Sequence, residues 1–293
     1  MREWLLPATA SPADIAATFN EVGFVAIKGF LSPVEVAELH SAHDEGIVSG
    51  ALLASKDDMA DNYDTIYRHE AFNRWVRDPR LVSLVRAIFN RGIELQHVKY
   101  NAKPITGGGE APWHQDFPFF PHTNHDLLAA TIYFDDADEA NGAIRFVPGS
   151  HRFGELSHYD ETGRFTYGCS DQAACARYES VCLTVPAGTV TLHHCFALHA
   201  SGHVTSGRQR RLLIFQYRAE DNVQLAGPLW DCTGEKILSE NPVRRARFFD
   251  GTVITLRGQL VDVFGNLKPD RSLPSVKRGY AESVPGARGG NPG

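Results

Sequence analysis

The pattern of hydrophobic and polar positions changes near residue 92. Before it, the segments SPAD at 11–14 and SPVE at 32–35 each offer a serine N-cap, a proline at the first helical position and an acid three residues after the cap. Within 70–90, apolar residues recur at helical spacing. These patterns predict helices over 12–20, 33–46 and part of 70–90, with GFVAIKGF as a short buried strand between the first two.

After residue 92 the chain consists of short β-type runs separated by glycine, proline and asparagine. Short strands with turn signals between them are typical of a β-sandwich or barrel. A helical N-terminal third laid against a mainly β core fits better than an alternating βαβ fold, whose parallel strands need regular crossover helices. The predicted strands are IELQHVKYN, LAATIYFDD, AIRFVPG, YESVCLTVPAG, TVTLHHC and RRLLIFQYRA.

Length and composition set the domain prediction. The 293 residues are 43% hydrophobic and 22% charged, which is ordinary for a globular protein. Barrel folds of this size are usually single domains. The end of the chain, SVPGARGGNPG, is too rich in glycine and proline to pack. We therefore predict one domain over residues 1–280, with a β core at roughly 92–220 and a disordered tail at 281–293.

Charge and cysteine content narrow the possible partners. The 29 basic and 35 acidic residues give a net charge of −6 without a basic run, which argues against nucleic acid or an anionic membrane as the partner. The five cysteines contain no C-x-x-C pair and fit free thiols in the cytoplasm. No long apolar segment suggests a membrane span or a leader. We expect a cytoplasmic protein, either a monomer or a homodimer, that acts on a small molecule.

Candidate chemistry begins in APWHQDFPFF, residues 111–120, where His114 and Asp116 stand one residue apart among aromatic residues and prolines. Residues two apart in a strand point to one face, so both side chains could reach one metal ion. A short motif of this kind also arises by chance. The second copy, His158 and Asp160, lies in a polar stretch without a strand pattern, so the first copy is the better candidate.

A redox metal needs a third ligand. Two histidines and a carboxylate leave three adjacent positions open on an octahedral ion, which non-haem Fe(II) oxygenases require. The candidates for the second histidine are His193, His194, His199 and His203. His199 is favoured because Ser201 follows it and Arg210 begins the next strand; a hydroxyl and a guanidinium together can receive a carboxylate.

Simpler interpretations exist for each residue. His199 also fits a hydrogen-bonded core histidine. Arg210 could pair with an acid, as could Arg208 or Arg211, and Lys103 fits a solvated lysine.

Taken together, the residues resemble the phytanoyl-CoA dioxygenase-like (PhyH) family of Fe(II)/2-oxoglutarate-dependent oxygenases, which includes ectoine hydroxylase. The resemblance covers residues 20–220, and the segment after about 225 has no counterpart. Four motifs in the family's order carry it, namely Asn101-Ala-Lys-Pro104, His114-Gln-Asp116, Asn141-Gly142 followed by Val147-Pro-Gly-Ser-His151, and His199-Ala-Ser201 followed by Arg210.

This resemblance implies a double-stranded β-helix core, also described as a jelly roll or cupin-like fold, with flanking helices. It implies that His114, Asp116 and His199 bind iron(II), and that Arg210 and Ser201 bind the distal carboxylate of the cosubstrate 2-oxoglutarate. Asn101 and Thr131 would also contact this cosubstrate. The candidates for the substrate pocket are His97, Trp113, Phe117 and Phe120.

The resemblance also implies the reaction. O₂ and 2-oxoglutarate would be consumed, succinate and CO₂ released, and an unactivated C–H bond of a small metabolite oxidised, for example in specialised metabolism. Halogenating relatives replace the carboxylate ligand by a small residue, so the retained Asp116 favours hydroxylation. Two alternatives stay open, a non-redox zinc metalloprotein or hydrolase and a non-catalytic jelly-roll module that captures a ligand. A zinc hydrolase would have no use for Arg210 and Ser201 at the family's spacing, whereas a binding module would use them only to capture a carboxylate ligand.

Overall fold

The computed structural model describes residues 2–54, 59–105, 109–241 and 243–256. The tail predicted at 281–293 and the domain end predicted at 280 lie outside these residues. The helices are α1 (Pro12–Val22), α2 (Pro33–Val48), α3 (Glu70–Val76), α4 (Pro79–Phe89) and α5 (Gln172–Cys175). The strands are β1 (Leu5–Pro7), β2 (Phe24–Lys28), β3 (Ala60–Tyr63), β4 (Ile93–Lys103), β5 (Ala111–His114), β6 (Leu127–Tyr133), β7 (Ile144–Phe146), β8 (Val181–Cys182), β9 (Val190–His194), β10 (His199–Ser201), β11 (Arg210–Ala219), β12 (Lys236–Leu238), β13 (Arg245–Arg247) and β14 (Val253–Thr255).

Two sheets organise the described strands. The major sheet has eight strands in the order β1-β2-β9-β6-β11-β4-β12, with β3 paired to β4. The minor sheet has the order β5-β10-β7-β8, and β13 and β14 form a separate hairpin. All pairings are antiparallel except that of β1 with β2. The fold is mainly β and jelly-roll-like, and all described elements belong to one compact unit.

The two faces of the major sheet bury different side chains. On the outer face, residues such as Leu213 and Phe215 of β11 join one hydrophobic cluster with α1, α2, α3 and α4. On the inner face, Phe24 of β2 stacks on Phe146 of the minor sheet, with ring centroids 4.6 Å apart. Because side chains alternate along a strand, each strand contributes to both layers. The inner face therefore looks towards the minor sheet, where β5 and β10 lie.

The N-terminal third mixes helices with strands. The predicted start of α1 has the Ser11 side chain accepting from the backbone N–H of Asp14. The predicted start of α2 has a full capping box between Ser32 and Glu35. The single helix predicted within 70–90 is wrong in detail, since α3 and α4 are separate. Pro79 lacks an N–H and disfavours helical geometry at Asp78, which instead caps α4.

The β region follows the predicted runs with one large difference. The run YESVCLTVPAG contains a strand only at β8, Val181–Cys182, at the edge of the minor sheet. The segment after residue 225, which the family resemblance does not cover, adds β12 beside β4 and the β13–β14 hairpin. In the described part of the chain, none of the helices has the length and apolar character that crossing a membrane requires.

Candidate metal centre and cosubstrate pocket

Three side chains from separate parts of the chain meet at one end of the minor sheet. His114 ends β5 and pairs directly with His199, which begins β10. The structure places Asp116 beyond the strand, in helical geometry before the 3₁₀ turn Phe117–Phe119, so the expectation that both motif residues lie in one strand is wrong. The turn at the strand end brings the carboxylate round to the two histidines. Their ligand atoms all lie within 4.8 Å of one another.

The geometry of these donors fits one metal ion. Asp116 Oδ1 lies 3.8 Å from His199 Nε2 and 4.0 Å from His114 Nε2. Donors about 2.1 Å from one ion lie about 3 Å apart in adjacent positions and at most about 4.2 Å apart in opposite ones, so small side-chain rotations would bring these three donors onto one metal. The Nδ1–H of His114 donates to Pro112 O at 2.7 Å, and that of His199 donates to Ala197 O at 2.9 Å. Both rings are thus fixed with Nε2 free to face a metal.

The protonation states also suit a metal. Burial lowers the pKa of His114 and holds the pKa of His199 well below its ordinary value, so both imidazoles are neutral near pH 7. Burial alone would raise the pKa of Asp116, but a hydrogen bond from His193, and the attraction of the neighbouring histidines when they are protonated in acid, hold it well below its usual range. The site therefore presents two neutral nitrogens and one carboxylate, the donor set of the facial triad.

The second H-x-D motif has a different role. Asp160 lies on the surface and accepts hydrogen bonds from Thr162 and Arg164 in a local turn. His158 is buried, and its Nε2 accepts from the backbone N–H of Gln115 at 3.1 Å. Gln115 stands between His114 and Asp116. The hydrogen bond to His158 therefore fixes the backbone of the metal-binding loop.

Arg210 is a buried cation on the inner face of the major sheet. It begins β11 and is 2% exposed. Its guanidinium donates to Gly142 O at 2.9 Å and to Asn101 Oδ1 at 2.6 Å. Among the described residues no carboxylate forms a salt bridge with it, and its Nε has no hydrogen-bond partner. Burial lowers its pKa to about 10, so it stays charged near pH 7. An unpaired buried charge is costly, which points to an anionic ligand.

The two other arginines considered at this position are paired elsewhere. Arg211 points to the opposite face and forms a two-pronged ion pair with Asp135. Arg208 is exposed and pairs with Asp138. The register of β11 therefore selects Arg210 as the residue that faces inward.

The loop motif Asn141-Gly142 shapes the wall beside Arg210. Gly142 has a φ of 73°, and a Cβ there would lie 2.6 Å from Gly202 O. Only glycine fits this left-handed, crowded position, from which Gly142 O accepts the Arg210 hydrogen bond. In the next motif, Ser150 Oγ accepts from the backbone N–H of Leu198 at 2.8 Å, which anchors the chain just before His199.

Polar atoms without partners line the inner face between Arg210 and the metal centre. Thr131 of β6 pairs with Thr191 of β9, and His193, two residues further along β9, hydrogen-bonds Asp116. The Thr131 hydroxyl is buried and lacks a hydrogen-bond partner among the described residues, and the buried hydroxyls of Thr191 and Tyr133 have only each other. Buried hydroxyls are rarely left in this state, so this region fits a polar molecule such as 2-oxoglutarate.

The other predicted cosubstrate residues lie close by. Ser201 is buried two residues after His199 on β10. Asn101 lies on the inner face of β4 and binds Arg210. The expectation of a solvated Lys103 is wrong, because the side chain is fully buried opposite Arg210 and donates to Gly202 O. Burial and then the charge of Arg210 lower its pKa to about 7.

A second group of side chains lies near the metal centre, around the Trp230 ring. We name it the substrate-side cluster; its members are Tyr63, His97, Lys99, Phe120 and Trp230. The Trp230 ring stacks on Tyr63 at 5.2 Å and lies 4.5 Å from His97, which in turn contacts Phe120 at 5.3 Å. Lys99 Nζ lies 6.0 Å from the Tyr63 ring centroid and 3.5 Å from Asp61. Its charge acts on both His114 and Asp116.

Two of the predicted substrate residues lie elsewhere. Trp113 neighbours His114 on β5 but points to the opposite face, where it packs against a small cluster containing Val147 and Leu198. Phe117 is buried against Phe196, with ring centroids 4.7 Å apart, in the hydrophobic core. His97 and Phe120 contact each other and Trp230, and their role in substrate binding stays a prediction.

Sequence reasoning missed Lys99, Trp230 and the hydrogen bond from His193 to Asp116. Lys99 could have been found from the two-residue period of β4, which places it between His97 and Asn101 on one face. Nothing local in the sequence indicates Trp230, because the rings that its side chain contacts belong to residues more than one hundred positions away.

A mainly β, jelly-roll-like fold with a His-Asp-His centre and a buried arginine defines the non-haem iron dioxygenases that use 2-oxoglutarate. Comparison with known proteins agrees. Residues 19–212 match the phytanoyl-CoA dioxygenase (PhyH) family. The chain belongs to this family.

The relatives are enzymes of the same class. The chain is 34% identical over 239 residues to a probable alpha-ketoglutarate-dependent hypophosphite dioxygenase of Stutzerimonas stutzeri, across 75% of this chain and 82% of that protein. It is 26% identical to an ectoine dioxygenase of Bordetella parapertussis, across 73% and 78% of the two chains. Among solved structures, the non-heme alpha ketoglutarate dependent carbocyclase SnoK from nogalamycin biosynthesis shares the fold, with a TM-score of 0.65, 21% identity and coverage of 75% and 89%.

Proposed function

We propose that this protein uses iron(II), 2-oxoglutarate and O₂ to hydroxylate a C–H bond of a small polar metabolite, and that its two sheets are the halves of a double-stranded β-helix. The observation that carries the proposal is Arg210, a buried guanidinium without a carboxylate partner among the described residues, on the face that leads to His114, Asp116 and His199. A dicarboxylate could bind the metal with one carboxylate and pair with the Arg210 guanidinium through the other.

The residues of this chain have separable roles. His114, Asp116 and His199 would hold the iron, and Arg210 with Ser201 would orient the distal carboxylate of 2-oxoglutarate. When bound, iron(II) would activate O₂ for the oxidation. One oxygen atom would enter 2-oxoglutarate, which is decarboxylated to succinate and CO₂, and the other would enter the substrate. Asp116 occupies the third ligand position with Oδ1 facing both histidines, which supports hydroxylation over halogenation.

The substrate-side cluster supports a polar, charged substrate. Burial would lower the pKa of Lys99, but the neighbouring Asp61 carboxylate raises it, so the ammonium is retained. The side chains of Lys99 and Asp61 are 24% and 28% exposed, so both can exchange partners with an incoming molecule. His97 is neutral, because burial and the charge of Lys99 lower its pKa to about 3. We expect a small metabolite with a charged group at the Lys99–Asp61 pair and apolar carbon against Tyr63 and Trp230.

Succinate release and product formation test this proposal directly. Purified, iron-loaded enzyme would be given matched neutral, anionic, cationic and zwitterionic metabolites. We expect coupled turnover with a charged metabolite, and we expect Lys99→Met to raise KM for it while Lys99→Arg largely preserves KM. Full activity of Lys99→Met on the best substrate would contradict the assignment of Lys99.

The same experiment separates the alternatives. A zinc hydrolase would turn over a substrate without 2-oxoglutarate or O₂, and a binding module would bind 2-oxoglutarate without releasing succinate. The predictions of no nucleic-acid or membrane partner, of a monomer or homodimer and of a cytoplasmic location stay predictions.

A further inference from the structure

The two oxygens of the Asp116 carboxylate have different neighbours. Oδ1 faces the two histidines of the candidate metal centre, at 3.8 Å and 4.0 Å. Oδ2 accepts a hydrogen bond from Nε2 of His193 at 3.1 Å. We propose that His193 is a positioning residue, which holds the carboxylate in the orientation that presents Oδ1 to iron. This inference rests on the proposed function, since it concerns the same metal centre.

Asp116 depends on an external partner for its orientation. It stands at the N-terminal end of the 3₁₀ turn Phe117–Phe119, where an aspartate commonly accepts from backbone N–H groups of its own turn. Its side chain makes no such capping bond here. Because Asp116 also lies outside β5, no strand pairing fixes its side chain. The carboxylate is therefore directed by His193 and by the metal it would bind.

The ring of His193 is itself held firmly. It projects from the inner face of β9, in a position paired with Phe24 of β2, and the residue is 4% exposed. Its ring centroid lies 5.1 Å from that of Phe146 and 4.8 Å from that of His199. Packing against these rings limits rotation, so the Nε2–H stays aimed at Asp116.

The Nδ1 atom of His193 indicates that this residue does not serve to stabilise the fold. His193 Nδ1 is buried and has no hydrogen-bond partner among the described residues. By contrast, the ligand histidines His114 and His199 both use Nδ1 to bind a backbone carbonyl. A buried nitrogen without a partner lowers stability, so a phenyl ring would suit this aromatic environment better. The bond to Asp116 is the compensating feature, and it contributes to the metal site.

Two substitutions of His193 test separately the packing of its ring and its hydrogen bond to Asp116. His193→Phe keeps the ring volume and removes both nitrogens, whereas His193→Gln keeps an N–H that can reach Asp116. Loss of a hydrogen bond that orients a metal ligand typically weakens metal binding by about 10–100-fold. We expect His193→Phe to raise the iron(II) dissociation constant by that factor while the metal-free protein unfolds at the same or a higher temperature. We expect His193→Gln to recover most of the iron affinity.

The measurements are anaerobic iron(II) titration, thermal unfolding of the metal-free protein, and the visible charge-transfer absorption of the protein with iron(II) and 2-oxoglutarate. His122→Phe is the matched control. His122 is 1% exposed, donates from Nδ1 to Phe120 O and has an unpartnered Nε2, but it does not contact a ligand. Its substitution should leave the iron dissociation constant within about twofold, far below the effect of a lost orienting bond.

The outcomes are distinct. An unchanged iron affinity in His193→Phe would overturn the inference. So would a large fall in the unfolding temperature of the metal-free His193→Phe protein that His193→Gln restores, because this would show a structural role. If the unaltered protein itself failed to bind one iron, the proposed function would fail, whatever the variants did.

Discussion

The buried cation on the inner face offers the sharpest test of the cosubstrate site. Arg210→Leu removes the guanidinium and leaves an apolar side chain of smaller volume next to Asn101 and Gly142. A charge-assisted hydrogen bond contributes about 1.5–3 kcal/mol, so loss of a two-pronged pair to a carboxylate costs at least about 3 kcal/mol. At about 1.4 kcal/mol per tenfold, this raises the 2-oxoglutarate dissociation constant by roughly 100-fold or more.

Without ligand, the Arg210→Leu variant should be as stable to unfolding as the unaltered protein, or slightly more stable. Removing an unpaired buried charge in favour of an apolar side chain is often neutral or stabilising. Asn101 keeps the hydrogen bond that its Nδ2 donates to Asp61 at 2.6 Å, but the variant leaves two acceptors, Asn101 Oδ1 and Gly142 O, without the Arg210 donors, a loss that removal of the buried charge offsets. The metal-free and ligand-free protein should therefore unfold within a few degrees of the unaltered protein.

Thermal unfolding with increasing 2-oxoglutarate is a suitable assay, since a ligand at one hundred times its dissociation constant stabilises by about 2.7 kcal/mol. This shift should disappear in Arg210→Leu and persist in Arg208→Leu, where the exposed arginine pairs with Asp138. Iron binding should be nearly unchanged in both variants. Equal 2-oxoglutarate affinity in Arg210→Leu and the unaltered protein would refute the assignment, and loss in Arg208→Leu alone would show that the register is wrong.

Two further predictions address the metal centre and its charge. Asp116→Ala should abolish iron loading and succinate release, whereas Asp160→Ala, at the surface copy of the motif, should retain both within about twofold; metal analysis and succinate assays check this. Burial and the charge of Arg210 lower the pKa of Lys103 to about 7, so at pH 8 its amine is mostly neutral. Binding of the 2-oxoglutarate dianion favours the ammonium and should take up a proton, which calorimetry in buffers of different ionisation enthalpy measures. Lys103→Met should abolish that uptake, and a proton release in the unaltered protein would be inconsistent with this reasoning.

The parts of the fold that local chemistry determines were predictable from the sequence. The capped starts of α1 and α2 follow from serine, proline and acid at fixed spacing, and β11 follows from a short apolar run, Leu212 to Phe215, after a polar turn. The break between α3 and α4 was also encoded locally, in Pro79, and was missed because the apolar period continues across it. Where the signal lies within a few residues, the sequence is sufficient.

The site was predictable where motif spacing carries it and unpredictable where tertiary contacts do. His114, Asp116 and His199 meet as expected, yet the helical geometry of Asp116 depends on how β5 ends against its neighbours. Lys103 resembles a solvated lysine in sequence, and only the pairing of β4 with β11 shows that it is buried beside Arg210. Trp230 belongs to the segment without a counterpart, and its place beside His97 follows from β12 pairing with β4.

The contrast between the two faces of the major sheet suggests how stability and function are divided. On β11, Leu213, Phe215 and Tyr217 face the helices and build the core, whereas Arg210 and Gln216 face inward with unpartnered nitrogens. Burial of such polar groups opposes folding unless they are paired. The hydrophobic packing of the outer layer must therefore offset the cost of inner-face polar groups that lack hydrogen-bond partners when no ligand is bound. Apolar truncations on the outer face should lower the unfolding temperature, whereas apolar replacements on the inner face should leave it intact and remove binding.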